Sequence, residues 1–241
     1  MNRLILTIPH SSINVKNDGT IKPTLFPKVQ ADALQCADLY TDILFDCDNA
    51  IKIICPISRM MIDVERYLDN SKEMMAQYGR GYFYTVLNDG CTIYRDTIRP
   101  STLDIYLDYH KNIKNAVQNA KDNNYEPFII DCHSFNEKPF EFDLCKDKKD
   151  RDVDICFGYN NKNDLPKNVF DKINKWAKHN NYKYTFNQPY SGSMICDSCN
   201  KSLMIELNKR IYLMKDNITP QPTMYRVQMQ IKTLLEDLID K

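Results

Sequence analysis

Two apolar segments of the sequence each run into a histidine. Residues 4–8 are apolar or β-branched and lead through a proline to His10, and residues 128–130 lead through Asp131 to His133. A single histidine at the end of a strand is more often a hydrogen-bonded core residue than a ligand. Ligands of open α/β sheets gather at the carboxyl ends of the strands, so two histidines in matched positions favour one shared site.

The acids Asp38 and Asp42 are the first candidates to complete such a site. A hydrolytic metal site needs three protein ligands and an open position for water. Spaced four residues apart, the two acids share one face if their segment is helical. Burying them among apolar neighbours is costly unless a cation compensates, and either a metal ion or an arginine would do so. Asp38 ranks ahead of Asp42 as the ligand that joins the two histidines.

Glu206 lies inside another apolar run, residues 203–207. Burial raises the pKa of a carboxylate towards neutral pH, as a general base beside a metal-bound water requires. A salt bridge to Arg210 or to another arginine explains the same position equally well. The segment therefore supports two interpretations, a catalytic base and a structural ion pair.

Several arginines are placed where they can face an anionic substrate. Arg59 and Arg66 bracket an apolar run, and Arg95 follows in the segment "TIYRDTIRP". Guanidinium groups match carboxylates in a bidentate geometry and also stabilise oxyanions, a role for which Arg59 and Arg95 are the candidates. The glycine of the loop 187–194 allows close backbone approach to a ligand. The candidate substrate contacts are Arg66, Arg210, Asn187, Tyr190 and Ser134.

Strands and helices that must position these residues alternate along the chain. Short apolar, β-branched runs predict strands at residues 4–8, 51–54, 128–130, 153–157 and 203–207. Apolar periodicity and start signals predict helices over residues 27–46 and 102–122, from 168 and from 224. This alternation predicts an α/β fold with a mixed or mostly parallel sheet that helices cover on both faces.

Composition excludes several classes of function. The 241 residues are 43% hydrophobic, which suffices for one core, so a single domain over residues 1–241 is expected. With 32 basic and 32 acidic residues the net charge is zero, which favours a small-molecule partner over nucleic acid or an anionic membrane. No segment approaches the roughly 20 apolar residues of a membrane span. Nine cysteines, mostly in apolar runs, predict reduced thiols and a soluble, cytoplasmic protein, and the oligomeric state stays open.

Seven segments that carry these residues occur in a recognisable order. They are "IPHSS", "ADLYTDILF", "ISRMMIDVERY", "YHKNI", "IDCHSF", "NQPYSGSM" and "IELNKRIYL". In order and approximate spacing they resemble the N-formylglutamate amidohydrolase family over nearly the whole chain. The resemblance implies a three-layer α/β/α sandwich, similar to zinc carboxypeptidases and aspartoacylases, with a hydrolytic metal at the carboxyl edge of a mixed, mostly parallel sheet.

The resemblance also implies roles for individual residues. The implied site comprises His10 and His133 as metal-binding histidines, Asp38 and Asp42 as the helix acids, and Glu206 as the base. Arg66 falls where related amidohydrolases hold a substrate carboxylate. The chain departs from the family pattern at Ser12 and Ser193, where glycine is common, and at Glu65, where asparagine is common. An acid beside Arg66 can neutralise it, which bears on the choice of substrate.

These observations predict a metal-dependent amidohydrolase that cleaves the C–N bond of an N-acyl amino acid, with N-formyl-L-glutamate as the first candidate. The expected cofactor is a divalent metal, first of all zinc, held by His10, Asp38 and His133. The same ligand types suit iron, manganese or cobalt. The alternatives are a carboxypeptidase-like or aspartoacylase-like hydrolase of another acidic substrate, and a non-catalytic relative that binds a small molecule.

Overall fold

A six-stranded sheet forms the centre of the described part of the chain. The structure, a computed structural model, describes residues 1–93, 97–139, 151–194, 199 and 201–239. The strands within these ranges are β1 (Asn2–Ile8), β2 (Ile51–Ile54), β3 (Glu126–Phe135), β4 (Ile155–Gly158), β5 (Tyr184–Phe186) and β6 (Ser202–Asn208). Their order is β2-β1-β3-β6-β4-β5, and every neighbouring pair is parallel except β4 and β6. The sheet is therefore mixed and mostly parallel, as the sequence predicts.

Helices pack on both faces of this sheet. They are α1 (Phe26–Cys36), α2 (Thr41–Leu44), α3 (Pro100–Asp122), α4 (Lys167–His179) and α5 (Met224–Ile239). Successive strand residues point to opposite faces, so Leu4, Leu6 and Ile8 of β1 pack with α2, α4 and α5, whereas Ile5 packs with α1 and α3. The result is a three-layer α/β/α sandwich, which confirms the predicted fold class. None of the helices in the described ranges combines the length and apolar character needed to cross a membrane.

The strands that carry the site extend beyond the apolar runs that predict them. β3 continues from the predicted residues 128–130 to Phe135, because it lies between β1 and β6 and pairs with β6 as far as Asn208. His133 is therefore inside a strand and not after its end, which corrects the sequence prediction. The sequence also does not predict β5, which has only three residues.

The predicted helix over residues 27–46 is interrupted in the structure. α1 ends before Ala37, which is extended (φ −70°, ψ 146°), and the residue before α2 is left-handed (φ 66°). Within this break the backbone N–H of Asp38 donates to the carbonyl of His10 over 2.9 Å. The predicted shared helix face of Asp38 and Asp42 is therefore wrong. The break instead brings Asp38 against the end of β1.

Candidate active site

A cavity of about 480 Å³ opens at the carboxyl edge of the sheet. Three neighbouring strands contribute to it, since His10 follows β1, His133 lies near the end of β3 and Glu206 near the end of β6. In the register of the β3–β6 pair, His133 lies directly opposite Glu206. The sheet topology thus brings the candidate metal ligands and the candidate base to one place.

His10 is buried and oriented by Asp63. Its Nε2 lies 2.8 Å from Oδ1 of Asp63, so Nε2–H can donate to this carboxylate and leave the lone pair on Nδ1. Nδ1 has no hydrogen-bond partner among the described residues, and its 3.7 Å distance to Oδ2 of Asp38 is too long for a hydrogen bond. A buried ring nitrogen in this state is suited to bind a cation.

His133 has carboxylates at both of its ring nitrogens. Its Nδ1 lies 3.1 Å from Oδ2 of Asp38. Its Nε2 lies 3.1 Å from Oε1 of Glu65 and 3.2 Å from Oδ1 of Asp131. Because Asp38 also approaches Nδ1 of His10, this acid stands between the two histidines on the side of their Nδ1 atoms.

Three overlapping groups of side chains each place three ligand atoms within 4.8 Å of one another. The groups are His10, Asp38 and His133; His10, Asp63 and Glu65; and Glu65, Asp131 and His133. A neutral imidazole offers one nitrogen to a metal, so groups that share a histidine compete. The first group uses the unpartnered Nδ1 of His10 and leaves acids to hold the other ring nitrogens, as metal-binding histidines require. The ring centroids of His10 and His133 are 5.4 Å apart, so this group fits one divalent ion such as zinc.

Electrostatic interactions raise the pKa of both histidines. Burial lowers the pKa of His133, but Glu65 and Asp131 outweigh burial and raise it well above its ordinary value. Burial and a nearby arginine lower the pKa of His10, yet Asp63 and Glu65 overcome both and raise it. The cluster therefore attracts positive charge, which a proton supplies in the metal-free protein and which a divalent ion can supply in its place.

The acids of the cavity divide into two kinds. Burial raises the pKa of Asp38 and Glu65, but the histidines reverse the effect, lowering the pKa of Asp38 and bringing that of Glu65 to about 2. Glu206 is 8% exposed, and burial, reinforced by the neighbouring acids and opposed by His133, raises its pKa to about 8. Its Oε2 has no hydrogen-bond partner among the described residues. A carboxyl group with such a pKa can accept and release a proton in one catalytic cycle.

Asp63 also holds two arginines at the wall of the cavity. Nε and Nη2 of Arg59 donate to Oδ2 of Asp63 over 3.2 and 2.9 Å, and Nε of Arg66 lies 3.7 Å from the same oxygen. The hydroxyl of Tyr84 donates to it over 3.2 Å. Arg59 and Arg66 both line the cavity, so one buried acid orients His10, the candidate oxyanion-stabilising residue Arg59 and the candidate substrate-binding residue Arg66.

Two predicted substrate contacts do not line the cavity. The guanidinium of Arg210 instead donates to Oε1 of Glu137 over 2.6 Å and to Oδ1 of Asp154 over 3.2 and 2.9 Å. Asn187 accepts a hydrogen bond from the backbone N–H of Tyr159 at its Oδ1, which fixes a loop. These side chains are engaged outside the cavity, so its geometry does not support their predicted substrate contacts, which stay predictions.

Some of the remaining candidates line the cavity and others do not. Ser134 and Tyr190 line the cavity. Asp42 does not; it is half-buried in α2, and its backbone carbonyl accepts a hydrogen bond from Lys52. Arg95 lies outside the described residues, so its predicted role stays a prediction.

The sequence argument placed none of Asp63, Glu65 and Asp131 among the metal ligands or the catalytic residues. Asp131 had a usable signal, because residues two apart on a strand share a face and it precedes His133 by two. The hydroxyl of Thr7 on β1 donates to Asp131 over 2.9 Å, a contact that only the folded sheet creates. Asp63 and Glu65 lie in an irregular segment, where no periodicity shows which side chains point inward.

Comparisons with known proteins agree with this fold. The solved N-formylglutamate amidohydrolase from Ralstonia eutropha superposes with a TM-score of 0.82 at 16% identity, covering 100% of this chain and 94% of that one. A gene product of Agrobacterium tumefaciens superposes with a TM-score of 0.64 at 12% identity, covering 98% and 92%. At such low sequence identity, these superpositions show only that the two proteins share the fold of this chain. A search of curated proteins finds no match. The sequence profile of one family matches residues 2–213, and the chain therefore belongs to the N-formylglutamate amidohydrolase family.

Proposed function

We propose that the protein hydrolyses N-formyl-L-glutamate to formate and L-glutamate with a divalent metal, zinc being the first candidate, held by His10, Asp38 and His133. Membership of an amidohydrolase family supports cleavage of a linear amide. One observation supports the metal site: the buried Nδ1 of His10 makes no hydrogen bond to a described residue, and carboxylate oxygens of Asp38 and Glu65 lie 3.7 and 3.5 Å from it in the cavity that also contains His133 and Glu206.

Neighbouring acids orient the two histidines of the proposed metal site. Asp63 accepts from Nε2–H of His10, and Glu65 and Asp131 lie at Nε2 of His133, so both rings can present Nδ1 towards Asp38. A divalent metal bound there supplies Lewis acidity towards the substrate carbonyl and makes water more acidic.

Glu206 moves the proton in this proposal. Its carboxylate takes a proton from the attacking water, whose oxygen forms a bond to the formyl carbon. When the C–N bond breaks, Glu206 returns that proton to the departing amine nitrogen, so the carboxylate is regenerated. Nη1 of Arg59 takes no part in the two bonds to Asp63 and can stabilise the oxyanion. Arg66 binds a carboxylate of the substrate.

The test measures formate and glutamate release by the purified protein as isolated, after chelation and after metal is restored. We expect chelation to abolish activity and metal to recover it. Glu206→Gln should retain bound metal but lose roughly 10²–10⁴-fold in kcat, the typical contribution of general acid–base catalysis. Glu137→Gln is the matched control, because this carboxylate bonds Arg210 outside the cavity.

Two results would contradict the proposal. Near-normal kcat in Glu206→Gln would remove Glu206 as the base. The metal-loaded protein could also fail to cleave N-formylglutamate but cleave N-acetyl-L-aspartate in the same assay. That result would contradict the proposed substrate and leave the hydrolase assignment intact.

A further inference from the structure

The cavity contains a buried lysine that the mechanism above does not use. Lys209 begins the short 3-10 turn Lys209–Ile211 directly after β6, three residues beyond Glu206. It is 2% exposed and lines the cavity. A lysine side chain is almost never fully buried unless its charge is compensated, so its presence beside the candidate base requires an explanation.

The protein compensates this charge only in part. Nζ of Lys209 donates to the backbone carbonyl of Ala37 over 2.7 Å, and it forms no ion pair with any residue that the structure describes. An ammonium group has three N–H donors, so two remain for other acceptors. Burial lowers the pKa of Lys209, which shows the cost of keeping the charge there, although Asp38 acts in the opposite direction. A bound anion would remove this cost.

The turn after β6 sends two successive cations in different directions. Oδ1 of Asn208 accepts from the backbone N–H of Arg210 over 3.1 Å, which caps the turn. Arg210 then reaches Glu137 and Asp154 outside the cavity, whereas Lys209 points into the cavity wall. Lys209 can therefore take the substrate-binding role that the sequence assigned to Arg210.

Other cations line the same cavity. Arg59 is bound to Asp63, and its positive charge also lowers the pKa of Lys209. Arg80 also lines the cavity and donates from Nη2 to Oδ1 of Asn88 over 2.7 Å. These cations share the cavity with the acids around the two histidines, and their positive charge offers a substrate carboxylate a place to bind.

We propose that Lys209 binds a carboxylate of the substrate through its two remaining N–H donors. This inference rests on the proposed function, because the substrate class comes from it. N-Formylglutamate has two carboxylates, one next to the amide nitrogen and one on the side chain. A cavity that binds both needs a cation besides Arg66, and Lys209 supplies it.

The experiment compares three substrates with three variants. N-Formyl-L-glutamine lacks the side-chain carboxylate, and 4-formamidobutyrate lacks the carboxylate next to the nitrogen. Lys209→Met removes the charge, and Lys209→Arg keeps it. Lys201→Met is the matched control, because Lys201 is also buried but lies immediately before β6, at the opposite end of the strand from the cavity.

We expect Lys209→Met to lower kcat/KM for N-formylglutamate roughly 10- to 100-fold, mainly through KM, as loss of a charged hydrogen bond predicts. Of N-formyl-L-glutamine and 4-formamidobutyrate, only one should show the same loss. The carboxylate that this substrate retains is the one that Lys209 binds. Lys209→Arg should recover most of the loss, and Lys201→Met should change none of these values by more than about twofold. Equal losses with both shortened substrates, or no loss with N-formylglutamate, would overturn the proposal.

Binding of glutarate, measured by calorimetry, separates this inference from the proposed function. If the wild type binds glutarate and Lys209→Met weakens that binding tenfold or more, Lys209 is an anion-binding residue even if no substrate is cleaved. If formylglutamate is cleaved and glutarate binds both proteins equally, the inference about Lys209 fails alone. Melting temperatures check folding: methionine replaces a buried charge, so Lys209→Met should melt no lower than the wild type.

Discussion

Replacement of Asp63 with asparagine tests whether one buried carboxylate organises the candidate site. Asp63 is fully buried and accepts hydrogen bonds from Nε2 of His10, from Nε and Nη2 of Arg59 and from the hydroxyl of Tyr84. Removing one partner of a buried ion pair typically costs about 3–5 kcal/mol, because the other charge loses its compensation. Asparagine keeps one acceptor oxygen, so we expect about 3 kcal/mol, the lower end of that range. For a chain of this length, this loss corresponds to a fall in melting temperature of roughly 6–12 °C.

The assay is urea unfolding of the metal-free protein, together with titration of the metal. Asp63→Asn should also weaken metal binding about 10- to 100-fold, because Nε2 of His10 loses the acid that fixes its proton. Asp154→Asn is the control: Asp154 pairs with Arg210 at a partly exposed position, and the expected loss is below about 1 kcal/mol. If Asp63→Asn stays within 1 kcal/mol of the wild type and binds metal equally well, the organising role of Asp63 is refuted.

Two further predictions concern the pH dependence of stability and the role of Arg210. In the metal-free protein, the carboxyl of Glu206 contributes stability that is fully present below its unfolded pKa of 4.5 and is lost as pH rises through about 8. Glu206→Gln should therefore gain stability relative to the wild type between pH 5 and pH 8, and a difference that does not change with pH in urea titrations would contradict the raised pKa. Arg210→Ala should leave KM for N-formylglutamate unchanged and lower the free energy of unfolding by less than about 1 kcal/mol, since its ion pairs are partly exposed. A several-fold rise in KM would return Arg210 to the substrate site.

The sheet and the paired histidines could be predicted because they depend on local pattern and on one general rule. Apolar, β-branched runs marked the strands, and the rule that parallel strands gather their carboxyl ends at one edge brought His10 and His133 together. The structure brings Glu206 to the same edge, directly opposite His133. These inferences required no knowledge of which side chains touch.

The break between α1 and α2 could not be predicted from periodicity. A continuous helix and two helices separated by a turn place apolar residues at similar spacing, and the backbone hydrogen bond from Asp38 to His10 that accompanies the break joins distant segments. For a similar reason, the sequence could not show whether Lys209 or Arg210 faces the cavity. Composition identifies two cations, but only the capped turn after β6 decides which of them faces the cavity.

The position of β1 between β2 and β3 has a consequence for biosynthesis. Translation delivers the amino-terminal part first, so His10, Asp38 and Asp63 leave the ribosome long before His133 and Glu206. An early nascent chain carries two of the three proposed metal ligands, and the third joins them only when β3 has aligned beside β1. On the proposed function, metal binding by the complete ligand set is thus a late event, coupled to the long-range pairing that makes such folds slow to form.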